Sequence, residues 1–427
     1  VMAMVATLVV ASGGTTAPAN PEGLSLSMVE LLGDETGSDA ISLFELSDDV
    51  LSGSQMAYGG DGDGVDVALI DSGVAPVDGL DGDYVLHGPD LSGEGAYPEV
   101  AYLDTYGHGT HMAGIIAGRR AGHEGVAPGA RIVSVKVAGD DGVTSVGQVV
   151  AAIDWVVEHR NTDGLNIRVL NLSLGQAGVT DHEGDALSAA VERAWNAGIF
   201  VVVAAGNSGQ SQSHLDSPAI DPFVLAVGSV DSNTSSKSRY QTPTAWTAHG
   251  DGNRNPDLVA PGRSIASYRV PGSTVDNAVP SARYGDDLFL GSGTSQSAAV
   301  MSGIAARLLE DNPNMTPVEL KQTLMEASRT SMYQYGEAIL GEGAIHGGIA
   351  WNNPRYGAAT QTHPNAAGPG TGIATPTGAT WSGGTWSGTS WSGATWSGTS
   401  WSGATWSGAT WSGTSWSGAT WSGATWS

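Results

Sequence analysis

Between residues 65 and 349, short runs rich in β-branched residues alternate with stretches that carry apolar side chains at helical spacing. VDVALI (65–70), RIVSVKV (131–137), IRVLNLSL (167–174), IFVVVA (199–204) and FVLAVGSV (223–230) are near-continuous apolar runs, the pattern of strands buried on both faces. Residues 148–160 and 185–197 lie between them with helical periodicity. The alternation predicts an α/β domain with a parallel sheet covered by helices, because parallel neighbours need a long crossover connection and a helix is the usual one. Function in such a sheet sits at the carboxyl ends of the strands. Two further helices are expected at 294–310 and 316–328, the second opened by Thr316-Pro317-Val318-Glu319, which has the form of a capping box with Pro at the first helical position.

The flanks read differently. The 427 residues carry 17 Lys plus Arg against 43 Asp plus Glu, a formal net charge of -26, which argues against nucleic acid or an anionic membrane as partner. There is no Cys, hence no disulfide framework, no thiolate metal site and no cysteine nucleophile. Residues 1–12, VMAMVATLVVAS, followed by Ala17-Pro18-Ala19, read as the apolar region and cleavage site of a secretory signal, too short to span a membrane. An extracellular or cell-surface protein is therefore expected. Residues 1–19 form that signal remnant, 20–60 an acidic leader or pro-segment, 61–350 the main domain, 351–376 a linker and 377–427 a low-complexity tail.

In the tail ten tryptophans recur every five residues, from Trp381 to Trp426. A period of five fits neither strand nor helix, and Gly in each unit opposes helix, so no compact fold is expected there. A pentapeptide-repeat β-helix shares the period, but stacked indoles would crowd its interior. Exposed indoles suit stacking on sugar rings or on one another, which makes cell-wall or polysaccharide contact one reading and a passive repeat the other.

Three segments of the main domain converge on one chemistry. Asp71-Ser72-Gly73 follows directly on the first buried run, so its carboxylate emerges at a strand's carboxyl end. Gly107-His108-Gly109-Thr110-His111 sets a His between glycines ahead of small residues at helical spacing; a His-x-x-His metal pair is the competing reading, without a third ligand nearby. Gly293-Thr294-Ser295 delivers a hydroxyl to the first turn of a helix, where backbone N–H groups point outward. A hydroxyl is a poor nucleophile unless an imidazole takes its proton and a carboxylate fixes that imidazole's tautomer. Asp71, His108 and Ser295 are the candidates for those roles. Asn207, in Ala204-Ala205-Gly206-Asn207, stands after another buried run and is a candidate oxyanion donor together with the Ser295 N–H.

These four motifs, in the order Asp, His, Asn, Ser, resemble those of the subtilisin-family serine proteases over about residues 64–349. The resemblance implies a three-layer subtilisin-like fold and a secreted endopeptidase that cleaves protein or peptide substrates through an acyl-enzyme. It also implies a substrate cleft: Ser173, Leu174 and Gly175 on one side of the primary pocket, Ala205 and Gly206 on the other, and Gly142, Val143 and Thr144 as an edge that pairs with the substrate backbone. These segments contain no acidic residue, so broad cleavage with large apolar side chains preferred before the scissile bond (position P1) is expected. The competing class is a non-catalytic surface protein that uses the domain as a scaffold.

The chain departs from the family pattern after the nucleophile, with Gln296 and Ser297 where Met and Ala are usual and Ala299 where Pro is usual. Loss of that Pro is expected to loosen or straighten the helix. No cofactor is required for the chemistry. The cluster of Asp78, Asp81 and Asp83 suggests a structural calcium of the kind subtilases often bind, although it lacks a full loop signature.

Overall fold

The computed structural model describes residues 60–211, 214–231, 242–251 and 254–329, together with short strands near both termini. Its strands and helices, in chain order, begin with β1 (Asp66–Asp71), β2 (Val85–Asp90), α1 (His108–Ala117), β3 (Arg131–Lys136), β4 (Val143–Ser145), α2 (Val146–His159) and β5 (Ile167–Leu172). They continue with α3 (Ala186–Asn196), β6 (Phe200–Ala204), β7 (Leu225–Asp231), β8 (Thr242–Pro243), β9 (Leu258–Pro261), β10 (Ile265–Tyr268), β11 (Leu288–Gly291), α4 (Thr294–Asp311) and α5 (Pro317–Arg329). All five strands expected from the apolar runs form, within two residues at each end. The expected helices form as well.

The main sheet has the order β8-β7-β6-β5-β1-β3-β2, with β9 also paired to β7. Every pairing is parallel except β7 with β8. Burial on both faces explains why these strands do not alternate: all six residues of β1 are buried, and so are all five of β6. Helix α2 is opened by a reciprocal capping box in which Gln148 N–H donates to Ser145 Oγ while Gln148 Oε1 accepts from Ser145 N–H. The box expected at Thr316 and Glu319 forms too. No helix among the described residues is long and apolar enough to cross a membrane.

Helix α4 is the structural axis. Fifteen of its eighteen residues are buried, against β5, β6, β7 and α1. It runs unbroken from Thr294 to Asp311 through Ala299, the position where Pro was expected. Ser297 explains the second departure: its hydroxyl donates to the carbonyls of Ala260 (2.9 Å) and Pro261 (3.2 Å), tying α4 to the end of β9.

A buried ion cluster closes the opposite region. Asp257 is fully buried and accepts from Arg254 (2.9 Å), Lys321 (3.0 Å) and the Ala226 N–H (2.8 Å), linking β7 and β9 to α5. Burial pushes the carboxyl up, but the two cations hold it below its usual value, while burial brings the Lys321 ammonium down to about 8. Asp257→Ala would strand two cations in a dry site and is expected to cost about 3–5 kcal/mol, read as a lower midpoint in urea unfolding.

The chain divides into two compact units, Val1–Ala366 and Ala367–Ser427. In the second, strands pair in parallel with a constant offset of fifteen residues, so that Trp381 stands opposite Trp396, Trp396 opposite Trp411 and Trp411 opposite Trp426. The expectation for this tail was no compact fold; its paired strands and separate unit depart from that. Three pentapeptides make one turn, and a turn of constant length sets identical residues in register. The linker at 351–376 and most of the signal and leader regions lie outside the described residues.

Candidate active site

The carboxyl ends of the central strands carry the site, as the topology requires. β1 ends at Asp71, which is buried, and its Oδ1 and Oδ2 lie 2.8 and 3.0 Å from His108 Nδ1. His108 is the first residue of α1 and is fully buried; its other ring nitrogen, Nε2, has no hydrogen-bond partner among the described residues. A carboxylate against Nδ1 holds the proton there and leaves Nε2 as the basic nitrogen.

Asp104, which the sequence reading did not single out, fixes this pair. Buried beneath α1, it accepts from the N–H groups of Gly107 (2.6 Å) and Thr110 (2.7 Å) and from the Ser72 hydroxyl (2.8 Å). It thereby satisfies the exposed donors of the α1 N-terminus and ties them to the loop that carries Asp71. Burial raises its carboxyl, and the hydrogen bonds from Thr110, Gly107 and Ser72 oppose that rise. The one signal was its place four residues before His108, where it can reach the first helical turn. Lys136 locks the same loops from below, donating to the carbonyls of Ser72 (2.8 Å) and Leu103 (2.5 Å).

His111 is not paired with His108 for a metal. Its Nε2 lies 3.2 Å from the Phe289 carbonyl of β11, and burial, with the neighbouring His108, lowers its pKa to about 3. Among the described residues no three His, Asp or Glu converge on a metal site, and Asp78 is paired with Arg120 at 3.4 Å. Asp78, Asp81 and Asp83 thus form no carboxylate cluster.

Ser295 is the second residue of α4, and Gly293 before it has φ +152, a conformation that favours glycine. The Ser295 hydroxyl donates to the Ser173 carbonyl (3.2 Å), and Ser173 Oγ donates back to the Ser295 carbonyl (3.1 Å). Asn207 Oδ1 accepts from the Thr294 N–H (3.0 Å) and hydroxyl (3.1 Å), which makes Nδ2 the donor end of that amide. Gly206 N–H donates to the same Thr294 hydroxyl (3.3 Å). Asn207, Gly206, Ser173 and Ser295 are therefore gathered at the head of α4 by direct hydrogen bonds.

The proposed cleft residues fall into place around them. Leu174 and Ala205 are buried, and Gly175 lies between Ser173 and the bridge that joins Gln176 to Ser217. Val143 is exposed and Thr144 buried on β4, while Gly142, with φ +68, packs so closely on the Tyr106 ring that a Cβ would come within 2.6 Å of it. The β4 edge holds an extended strand of this chain: Gly23–Ser25 pairs with it antiparallel, Leu24 opposite Thr144.

One acid enters where the sequence reading expected none. Asp216 reaches Gly175 and Gly206 from the loop after Asn207, outside the acid-free segments from which an apolar P1 preference was expected.

Comparisons with known proteins give the family. A profile described as the Subtilase family matches residues 62–344. The chain is 35% identical over 296 residues to serine protease AprX of Bacillus subtilis (strain 168), a match covering 67% of this chain and 65% of AprX, just under two thirds of that relative's length. It is 32% identical over 285 residues to subtilisin BL of Lederbergia lenta, covering 64% of this chain and 88% of that protein. Among solved structures, a cold-adapted subtilisin-like serine proteinase is superposable with a TM-score of 0.53 at 26% identity, over 74% of this chain and all of that one.

Proposed function

The chain belongs to the subtilase family of serine peptidases, which are hydrolases, and from that premise we propose that it is a secreted endopeptidase acting through Asp71, His108 and Ser295. The observation that supports the reading is the buried Asp71–His108 pair, whose Nε2 has no hydrogen-bond partner among the described residues, in a chain that also sets the Ser295 hydroxyl at a helix head. Ser295 Oγ turns from the Ser173 carbonyl toward His108 Nε2, gives up its proton there and attacks the peptide carbonyl. Imidazolium stabilised by Asp71 then returns the proton to the leaving amine, and water repeats the sequence on the acyl-enzyme. Negative charge developing on the carbonyl oxygen meets Asn207 Nδ2 and the Ser295 N–H, which as a first-turn amide has no intrahelical acceptor.

Substrate is held as an added strand on Gly142, Val143 and Thr144, with its P1 side chain between Ser173–Gly175 and Ala205–Gly206. That the β4 edge already pairs with Gly23–Ser25 supports strand addition there. Recognition through the backbone implies broad cleavage of unfolded or loop segments. Every group in the mechanism belongs to the chain, so a calcium ion would act on stability alone. The apolar opening run supports export, and the evenly registered Trp positions of the tail suit a role in cell-wall or polysaccharide contact. The named relatives are proteases, which disfavours a mere scaffold.

Labelling with a fluorophosphonate probe tests the reading. One equivalent should attach to Ser295 in folded protein, and absence of label would overturn it. Asn207→Ala is expected to lower kcat by about 10²- to 10³-fold with little change in KM, the scale known for the oxyanion-hole Asn of subtilisin itself. Steady-state kinetics on a peptide substrate measures both terms.

A further inference from the structure

Asp216 stands between the two walls of the primary pocket. Its N–H donates to the Ala205 carbonyl (3.2 Å), and the next residue, Ser217, exchanges two hydrogen bonds of 2.9 Å with Gln176, directly after Gly175. The side chain fills the space that both walls leave open. A Cβ on Gly175 would lie 2.8 Å from Asp216 Cβ, and one on Gly206 would lie 2.8 Å from the carboxyl carbon. Only glycine at these two positions leaves room for the acid.

Asp216 Oδ1 is buried and has no hydrogen-bond partner among the described residues. Leaving a carboxylate oxygen desolvated and unpaired is costly, and a fold retains such a group where something outside the chain completes it. No Lys or Arg of the pocket walls does so, since Ser173, Leu174, Gly175, Ala205 and Gly206 carry no charge. Among the described residues, His214 of its own loop opposes the upward effect of burial on this carboxyl. A chain whose walls are Leu174, Ala205 and two glycines, with an unpaired acid between them, suits a long aliphatic stem ending in a cation.

We infer that Asp216 makes the primary pocket select Lys or Arg at P1. The inference rests on the endopeptidase reading, and it supplies the missing partner from the substrate: the ammonium or guanidinium donates to Oδ1 while the stem covers the apolar walls. Burial raises the Asp216 pKa to about 6, so the acid is charged at neutral pH and loses its hold on a cation in acid.

The test is a series of peptide amides identical except at P1, with Lys, Arg, norleucine and Leu, each rate normalised to sites titrated by the fluorophosphonate. Lys and Arg should exceed norleucine in kcat/KM by at least about tenfold at pH 8. Asp216→Asn should cut the Lys-to-norleucine ratio by about ten- to a hundredfold, the range of a charge-assisted hydrogen bond. In the unaltered protein that ratio should also fall as pH drops through about 6, and because it is a ratio, any pH effect shared by the two substrates cancels. Preference for norleucine or Leu, or a ratio that neither Asp216→Asn nor acid moves, overturns the inference while leaving the peptidase reading intact. If the variant does not fold, the P1 profile of the unaltered protein and its pH dependence decide. Failure of the probe to label Ser295 would instead sink the peptidase reading, and this inference with it.

Discussion

Ser295→Ala is expected to lower kcat by about 10⁶-fold and to abolish fluorophosphonate labelling, leaving the fold unchanged. The magnitude is that known for the corresponding change in subtilisin, where nucleophile and base act as one unit. The reason lies in the site. Of the two hydroxyls at the head of this buried helix, that of Thr294 is engaged with Asn207 Oδ1, whereas that of Ser295 rests on the Ser173 carbonyl and is the one proposed to turn to His108 Nε2. His108→Ala should cost about as much, and the double variant hardly more, because removing either member disables the other. Structural loss is expected to be small, since the Ser295 hydroxyl makes one 3.2 Å bond to a carbonyl and Ala fits in the helix. Active-site labelling and single-turnover hydrolysis are the measurements. Full activity in Ser295→Ala would transfer the chemistry to another residue.

Asp71→Asn should lower kcat by about 10⁴-fold, a loss that follows from hydrogen-bond polarity rather than from packing. Asp71 accepts from His108 Nδ1 at 2.8 Å and from the Ser72 N–H at 2.8 Å. Oδ1 faces both the Ser72 N–H and Nδ1, so an amide with its oxygen there sets its NH₂ in the Oδ2 place, 3.0 Å from Nδ1, and with the negative charge gone it favours the tautomer in which Nδ1 accepts. The proton moves to Nε2, and the nitrogen that should take the Ser295 proton is already occupied. Imidazolium formed during the reaction also loses its counter-charge. KM should move little, because Asp71 is buried behind His108 and touches no part of the cleft. Kinetics of the variant with its thermal unfolding measured alongside separates this from misfolding: an unchanged kcat would mean that Asp71 does not set the tautomer.

Much of the frame was legible because it is written in neighbouring residues. Five strands of the main sheet announce themselves as unbroken apolar runs, since a strand covered on both faces has no polar side to show, whereas β2, with VLHGPD and only one buried residue, gives no such run. Thr316 to Glu319 declares a helix start because the box closes over four residues. Asp104 was less visible: an Asp before a His is common, and only the bonds to Gly107, Thr110 and Ser72 distinguish it. The tail misled for a related reason. A period of five looks incompatible with β-structure within one strand, and the structure satisfies it between turns, at an offset of fifteen.

The sequence by itself determined the class of chemistry, because a hydroxyl, an imidazole, a carboxylate and an amide, each presented by its own turn at the end of an apolar run, admit few other uses. It also determined the parallel sheet, through periodicity. What only the tertiary structure decided is how those groups are held and what the pocket meets: Asp104 beneath α1, Ser297 bound to the end of β9, the Ser295 hydroxyl resting on the Ser173 carbonyl, and Asp216 against Gly175 and Gly206. Ser295 and Ser173 lie 122 residues apart in the chain. Local pattern encodes the elements, but the character of a cleft comes from segments brought together by packing, and an acid on an irregular loop leaves no periodic trace of the glycines it will face.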